Sequence, residues 1–231
     1  MCWNVEVTAA MVGAGALATA LSWRRGDPAV LPLTLGYFTV MEALQLGGYA
    51  VIDQCGTPAN ETFTFLSVLH IVFQPLIVNA FAMELKGGVS PRMRALVFGL
   101  CGLSTVIMLM QLFPFDWAGA CKPGSILCAD RLCTVTGDWH QAWELARNGM
   151  LTAFDPLGFG FPTYTVAFFG LPLLYGAWRF SLFQMILGPV LAGQLTSNPN
   201  EVPAIWCLFS IGLVAVAMVP QMRRPLALRP V

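Results

Sequence analysis

Glu42 and Gln45 lie three residues apart, and His70 and Gln74 lie four apart, so each pair shares one face of a helix. Both pairs sit inside long apolar runs, and Asn79 follows just beyond Pro75. A carboxylate, an imidazole and amides can move a proton, bind a polar ligand or hold a metal. At the centre of a bilayer an ionisable side chain costs on the order of 2.5–3.5 kcal/mol, which makes each one a functional candidate. Glu42 and His70 are therefore the expected acid–base or ligand pair, with Gln45, Gln74 and Asn79 orienting a substrate. The same residues would also serve as a buried hydrogen-bonded pair that fixes helix register.

A second polar group lies at Asp138–Met150. Trp139, Trp143, Ala146 and Met150 recur every three or four residues, which predicts an interfacial helix with its tryptophans at the headgroup level. His140, Glu144 and Arg147 form a polar stripe beside them. If this segment folds over the outer mouth, His140, Trp143 and Glu144 close the site. His140 then joins Glu42 and His70 in a set that suits a divalent transition metal. The chain has two histidines, seventy residues apart and without local ligand spacing, so no metal is named by the sequence.

The elements that must carry these groups are membrane spans. The chain is 57% hydrophobic and 10% charged, with a mean hydropathy of +0.69. A water-soluble domain carries about 25% charged residues. Seven stretches are long enough for a hydrocarbon core of about 30 Å: Val5–Trp23, Ala29–Ile52, Thr62–Met83, Ala95–Phe113, Phe159–Trp178, Leu182–Thr196 and Val202–Gln221. The sixth is the weakest, being short and holding Gly188-Pro189. The expected fold is all-α, a single membrane domain of seven transmembrane helices over residues 1–231.

With the N-terminus outside, Arg24, Arg25, Lys86, Arg92, Arg94, Arg179, Arg223, Arg224 and Arg229 all fall inside. Only Lys122, Arg131 and Arg147 fall outside. The positive-inside bias selects this orientation, with the C-terminus cytoplasmic. Residues 114–158 then form the one long outer loop. Glu42 lies about 15 Å below the outer face and His70 about 12 Å, at 1.5 Å per residue. Localisation in a bacterial inner membrane is the expectation.

Cys101 and Cys207 fall within spans and read as packing residues. Cys2, Cys55, Cys121, Cys128 and Cys133 all fall outside, where disulfides form. One bridge is expected within the long loop and one from Cys2 or Cys55 to another outer segment. Five is odd, so one thiol is left over. Cys2, exposed by removal of Met1, is also a candidate nucleophile or metal ligand.

Several functions are excluded. A retinal Schiff base needs a lysine in the last span, and the two lysines, Lys86 and Lys122, lie in loops. No span carries an arginine series, so there is no voltage sensor. A net charge of zero and the lack of a Gly-rich phosphate loop leave nothing for nucleic acid or nucleotide.

The Met1-Cys2-Trp3-Asn4 start, the Glu42–Gln45 run, the stretch from His70 through Asn79 and the Gly137–Trp143 run resemble an uncharacterised family of multi-pass membrane proteins with bacterial and large-virus members. The resemblance spans most of the chain and implies no activity. Two functions remain open. One is a metal- or cofactor-dependent membrane enzyme acting on a lipid-like or quinone-like substrate. The other is a non-enzymatic carrier or receptor for a small molecule, or a structural subunit of a membrane complex. Little polar character continues past Asn79 apart from Thr34 and Thr39, so the site is expected to close toward the cytoplasm. Beyond the bilayer and such a ligand, no partner or oligomeric state follows.

Overall fold

Among the described residues, four helices are long and apolar enough to cross a membrane. In the computed structural model, which describes residues 4–156, 158–209 and 211–219, these are α1 (Val5–Arg24), α2 (Val30–Ala50), α3 (Pro58–Lys86) and α4 (Pro91–Gln111). Side chains of Asn4, Thr57 and Ser90 cap three of their starts. Pro58 and Pro91 occupy first-turn positions where a missing N–H costs nothing.

The three C-terminal regions are helical but short or broken, which corrects the expectation of seven continuous spans. Helix α5 (Pro162–Leu174) covers only about 20 Å at 1.5 Å per residue. Helix α6 (178–195) is interrupted by a wide turn at Ile186–Val190, where Gly188 leaves the helical region (φ −88°, ψ −107°). The last region divides into α7 (Val202–Leu208) and α8 (Ile211–Met218), and residues 220–221 of the expected span lie outside the described residues. Prolines explain the wide turns. Pro172 and Pro189 lack an N–H and crowd the carbonyl four residues back, so the turns at Val166–Gly170 and Ile186–Val190 widen.

Polarity is inverted relative to a water-soluble protein. Thr8, Thr34, Glu42, Gln45, Asn79 and Gln111 are buried, while Leu17, Leu33, Leu103, Val166 and Leu173 are more than half exposed. Buried hydroxyls return to the preceding turn, as Thr34 does to the Val30 carbonyl at 2.7 Å and Ser67 to the Phe63 carbonyl at 2.8 Å.

One end of the bundle carries a β-hairpin, β1 (Cys133–Thr136) and β2 (Gln141–Glu144), paired antiparallel with Thr134 opposite Trp143. This replaces the interfacial helix expected at Asp138–Met150. The helical spacing of Trp139 and Trp143 loses to tertiary contacts: Trp143 is fully buried and its N–H donates to the Asn200 carbonyl at 2.9 Å. Gly137 closes the turn where a Cβ would lie 2.5 Å from the His140 carbonyl oxygen.

Two disulfides tie this end together. Cys121–Cys128 closes a bridge within the long connection, and Cys55–Cys133 fastens β1 to the α2–α3 turn. Cys2 lies outside the described residues. Asn60 adds a two-point grip on Thr134, donating to its carbonyl at 2.9 Å and accepting from its N–H at 3.0 Å. Buried in this way, Asn60 is out of reach of glycosylation despite its Asn60-Glu61-Thr62 sequon.

Candidate functional site

Phe38, Glu42, Gln45 and Tyr49 recur at helical spacing on α2 and are all buried. The hairpin sets His140 against the upper part of this stripe. Its Nε2 lies 2.8 Å from Gln45 Oε1, and its Nδ1 is hydrogen-bonded to the Tyr49 hydroxyl. Gln45 donates its own amide N–H to the Ala204 carbonyl at 3.3 Å, which leaves Oε1 as the acceptor. His140 therefore carries its hydrogen on Nε2 and accepts from Tyr49 at Nδ1. Burial holds its ring neutral, with the pKa pushed down to about 3.

Glu201 clamps the same turn from the foot of α7. Its carboxylate accepts from the backbone N–H groups of Asp138 (3.2 Å), Trp139 (2.6 Å) and His140, and from the Thr196 hydroxyl. Neighbouring Asn200 holds Cys128, accepting from its N–H at 3.1 Å. The sequence reading missed Glu201, Asn200 and Tyr49. The signal was a lone acid at the base of an apolar helix, after the polar run Thr196-Ser197-Asn198-Pro199-Asn200.

Glu42 lies one turn below Gln45, with both carboxyl oxygens buried and without a hydrogen-bond partner. His70 stacks on Tyr37, ring centroids 3.7 Å apart, and its Nε2 is also without a partner. No hydrogen bond joins Glu42 and His70, so the pair expected from the sequence is not formed. The expected metal set is not assembled either: among the described residues no three His, Cys, Asp or Glu side chains are placed to hold an ion. Helix rise explains this. His70 sits at the level of Tyr37 and His140 at Gln45, eight residues or about 12 Å apart along α2. Trp143 is core, and Glu144 pairs with Arg131 at the rim, 2.5 Å away. Neither closes a mouth.

Gln74 and Asn79 flank Pro75, which lies inside continuous α3 and lacks the N–H of a helical residue. Just before it, Tyr37 donates to the His70 carbonyl and Thr105 to the Val72 carbonyl at 3.1 Å. Asn79 donates to the carbonyls of Pro75 and Ala167, each at 2.9 Å, and accepts from Tyr175 at 2.9 Å. Ala167 belongs to the wide turn of α5, so Asn79 supplies a donor where the helix has lost one. Tyr164 donates to Gln74 Oε1 at 2.7 Å.

Beside Gln74 lies a cavity of about 240 Å³, walled by Ile71, Phe161, Phe169, Met185, Trp206 and Cys207 among others. Ile126 and Leu127 of the long connection also line it. Arg147 fixes that segment, donating to the Leu127 carbonyl (2.9 Å) and the Ser125 hydroxyl (2.7 Å). The guanidinium stacks over the Phe161 ring, and burial lowers its pKa to about 10. Asp155 receives the N–H groups of Phe159 and Gly160, each at 2.7 Å, and closes the approach to α5.

Residues 6–227 match the sequence model of a family of unknown function, DUF5765. No curated protein and no solved structure matches the chain.

Proposed function

Because the chain belongs to the DUF5765 family, whose function is unknown, we propose a function from the site alone: an integral membrane protein that binds an apolar or amphipathic small molecule, lipid-like or quinone-like, in the cavity beside Gln74. The carrying observation is the lining. The walls are aromatic and aliphatic, and Gln74 supplies the polar handle. Its carbonyl oxygen is taken by Tyr164, while its amide N–H₂ makes no hydrogen bond to any described residue. An occupant with a carbonyl or ester oxygen satisfies that donor. A dry apolar cavity of about 150 Å³ takes a benzene ring, so this one holds a substituted ring or the head of a lipid.

In this reading the seven helical regions cross the bilayer, with the hairpin end outside and the C-terminus in the cytoplasm, as in a bacterial inner membrane. Three observations support it. Apolar side chains of α5 and α6, among them Val166, Leu173, Ile186 and Val190, point outward as lipid-facing residues would. The wide turns and the Gly188 break pack against other helices, where irregular backbone is tolerated at membrane depth. Both disulfides lie at the hairpin end. Binding without chemistry is favoured over an enzyme, since neither Glu42 nor His70 is among the residues lining this cavity.

The test is extraction of protein purified in mild detergent, with mass spectrometry of co-purifying lipophiles. A stoichiometric compound is expected, lost in Ile71→Trp, which fills the cavity, with thermal stability retained. A ligand-free preparation that takes up no quinone or lipid, and behaves like Ile71→Trp, would overturn the reading.

A further inference from the structure

Glu42 is 2% exposed, and neither of its oxygens has a partner. The groups on every element around it offer no cation at its level. Helix α1 carries titratable residues only at its ends, Glu6 and Arg24. Helix α3 carries His70 midway, with Glu61, Glu84 and Lys86 toward its ends. Helix α7 carries Cys207, with Glu201 just before it, and the described residues of α8 carry none. Strand β2 ends in Glu144, and His140 leads into it. On α2 itself the neighbours are Tyr37, Gln45 and Tyr49. The one ion pair among the described residues is Arg131–Glu144, at the rim. An ionised carboxylate in this setting loses its hydration with no cation or hydrogen-bond donor to offset the loss. Neither cavity beside Gln74 includes Glu42 in its lining, so a bulky ligand has no room there. A proton has.

Direction follows from the residues along α2. Toward the hairpin lie Gln45, Tyr49 and His140, with Gln141 packed against Gly48, its amide buried and without a partner. Toward the other end, the buried side chains next in line on α2 are Phe38, Leu35, Thr34 and Leu31, and the hydroxyls on that side are already given to backbone, Thr34 to the Val30 carbonyl and Tyr37 to the His70 carbonyl. We infer that Glu42 is a proton-binding site inside the bundle, resting as a neutral carboxylic acid and exchanging its proton with the hairpin face past His140. This goes beyond ligand binding in the cavity and stands without it.

Infrared spectroscopy of the full-length protein in lipid vesicles at neutral pH reads the state directly. A carboxylic acid C=O band above the amide envelope is expected, shifted down in D2O and lost in Glu42→Gln. That variant preserves shape and neutrality and so should fold. A second measurement needs no variant: treatment with dicyclohexylcarbodiimide and peptide mapping. The acid O–H adds across one C=N bond, its oxygen joining the central carbon and its proton the nitrogen. Acyl migration to the other nitrogen then leaves a stable N-acylurea, with nothing oxidised or reduced. The adduct is expected on Glu42, with a rate that rises severalfold in His140→Ala. A carboxylate signature at Glu42 in the folded protein would overturn the inference, as would an acid band that never exchanges with D2O. Ile71→Trp leaves the band in place, so failure of the ligand reading and failure of this one are separable.

Discussion

Glu201 faces three consecutive backbone N–H groups, an arrangement that suits an acceptor with no hydrogens of its own. Glutamine there keeps one acceptor oxygen and turns an N–H₂ onto donors. Glu201→Gln is expected to cost about 2–3 kcal/mol, since charge-assisted bonds are lost and a buried donor is left unmade. Thermal unfolding in detergent, with hydrogen exchange at residues 138–140, measures it; an unchanged midpoint would mean that the hairpin is held elsewhere. His140 gives a pH signature. Its native pKa of about 3 lies below the unfolded value of about 6.5. Between those values the unfolded chain binds a proton that the native chain does not. Stability therefore falls as pH drops below about 6.5, by up to about 1.4 kcal/mol per unit, until about 3. Unfolding free energies measured across that range should lose this slope in His140→Gln.

At the scale of elements, the two disulfides constrain very different lengths of chain, 78 residues for Cys55–Cys133 and seven for Cys121–Cys128. Loop-closure entropy makes the long one worth about 2 kcal/mol more. Paired serine replacements at each bridge, compared by chemical unfolding, should show that ordering; equal losses would place the stabilisation in native contacts instead. Helices α1 to α4 were legible because length and apolar character alone set them, and so was one bridge within the long connection; the second was legible only as Cys2 or Cys55 to another outer segment, and the fold selects Cys55 with Cys133. The hairpin was not. Trp139 and Trp143 have helical spacing, and what overrides it comes from far along the chain: Glu201, Asn200 and Asn60. In the same way Glu42 and His70 were legible as buried polar residues, but their levels along the bundle depend on packing against Tyr37 and on where the hairpin places His140. The breaks in α5 and α6 were signalled by Pro172 and Pro189, although how far each turn would widen depends on donors such as Asn79 that no local pattern reveals.

Over the whole molecule, polar side chains inside and apolar ones outside leave orientation to the charges at the ends. Arg24, Arg25, Lys86, Arg92, Arg94 and Arg179 all lie in or beside the connections opposite the hairpin; Lys86 marks that end for α5 and α6, its Cε only 3.4 Å from where a Cβ on Gly176 would lie. Both bridges lie at the hairpin end. A cytoplasmic hairpin would put these six basic residues across the membrane and expose its disulfides to reducing thiols, so the two observations favour the same orientation. In intact bacterial cells expressing the chain, a membrane-impermeant reductant followed by a membrane-impermeant maleimide should label Cys55 and Cys133, while a reporter that matures only in the cytoplasm should be active when fused after residue 231. Labelling that appears only after lysis, together with a silent C-terminal reporter, would invert the protein. It would also turn the Gln45–Tyr49–His140 side of Glu42 toward the cytoplasm, so this one measurement decides from which compartment the proton arrives.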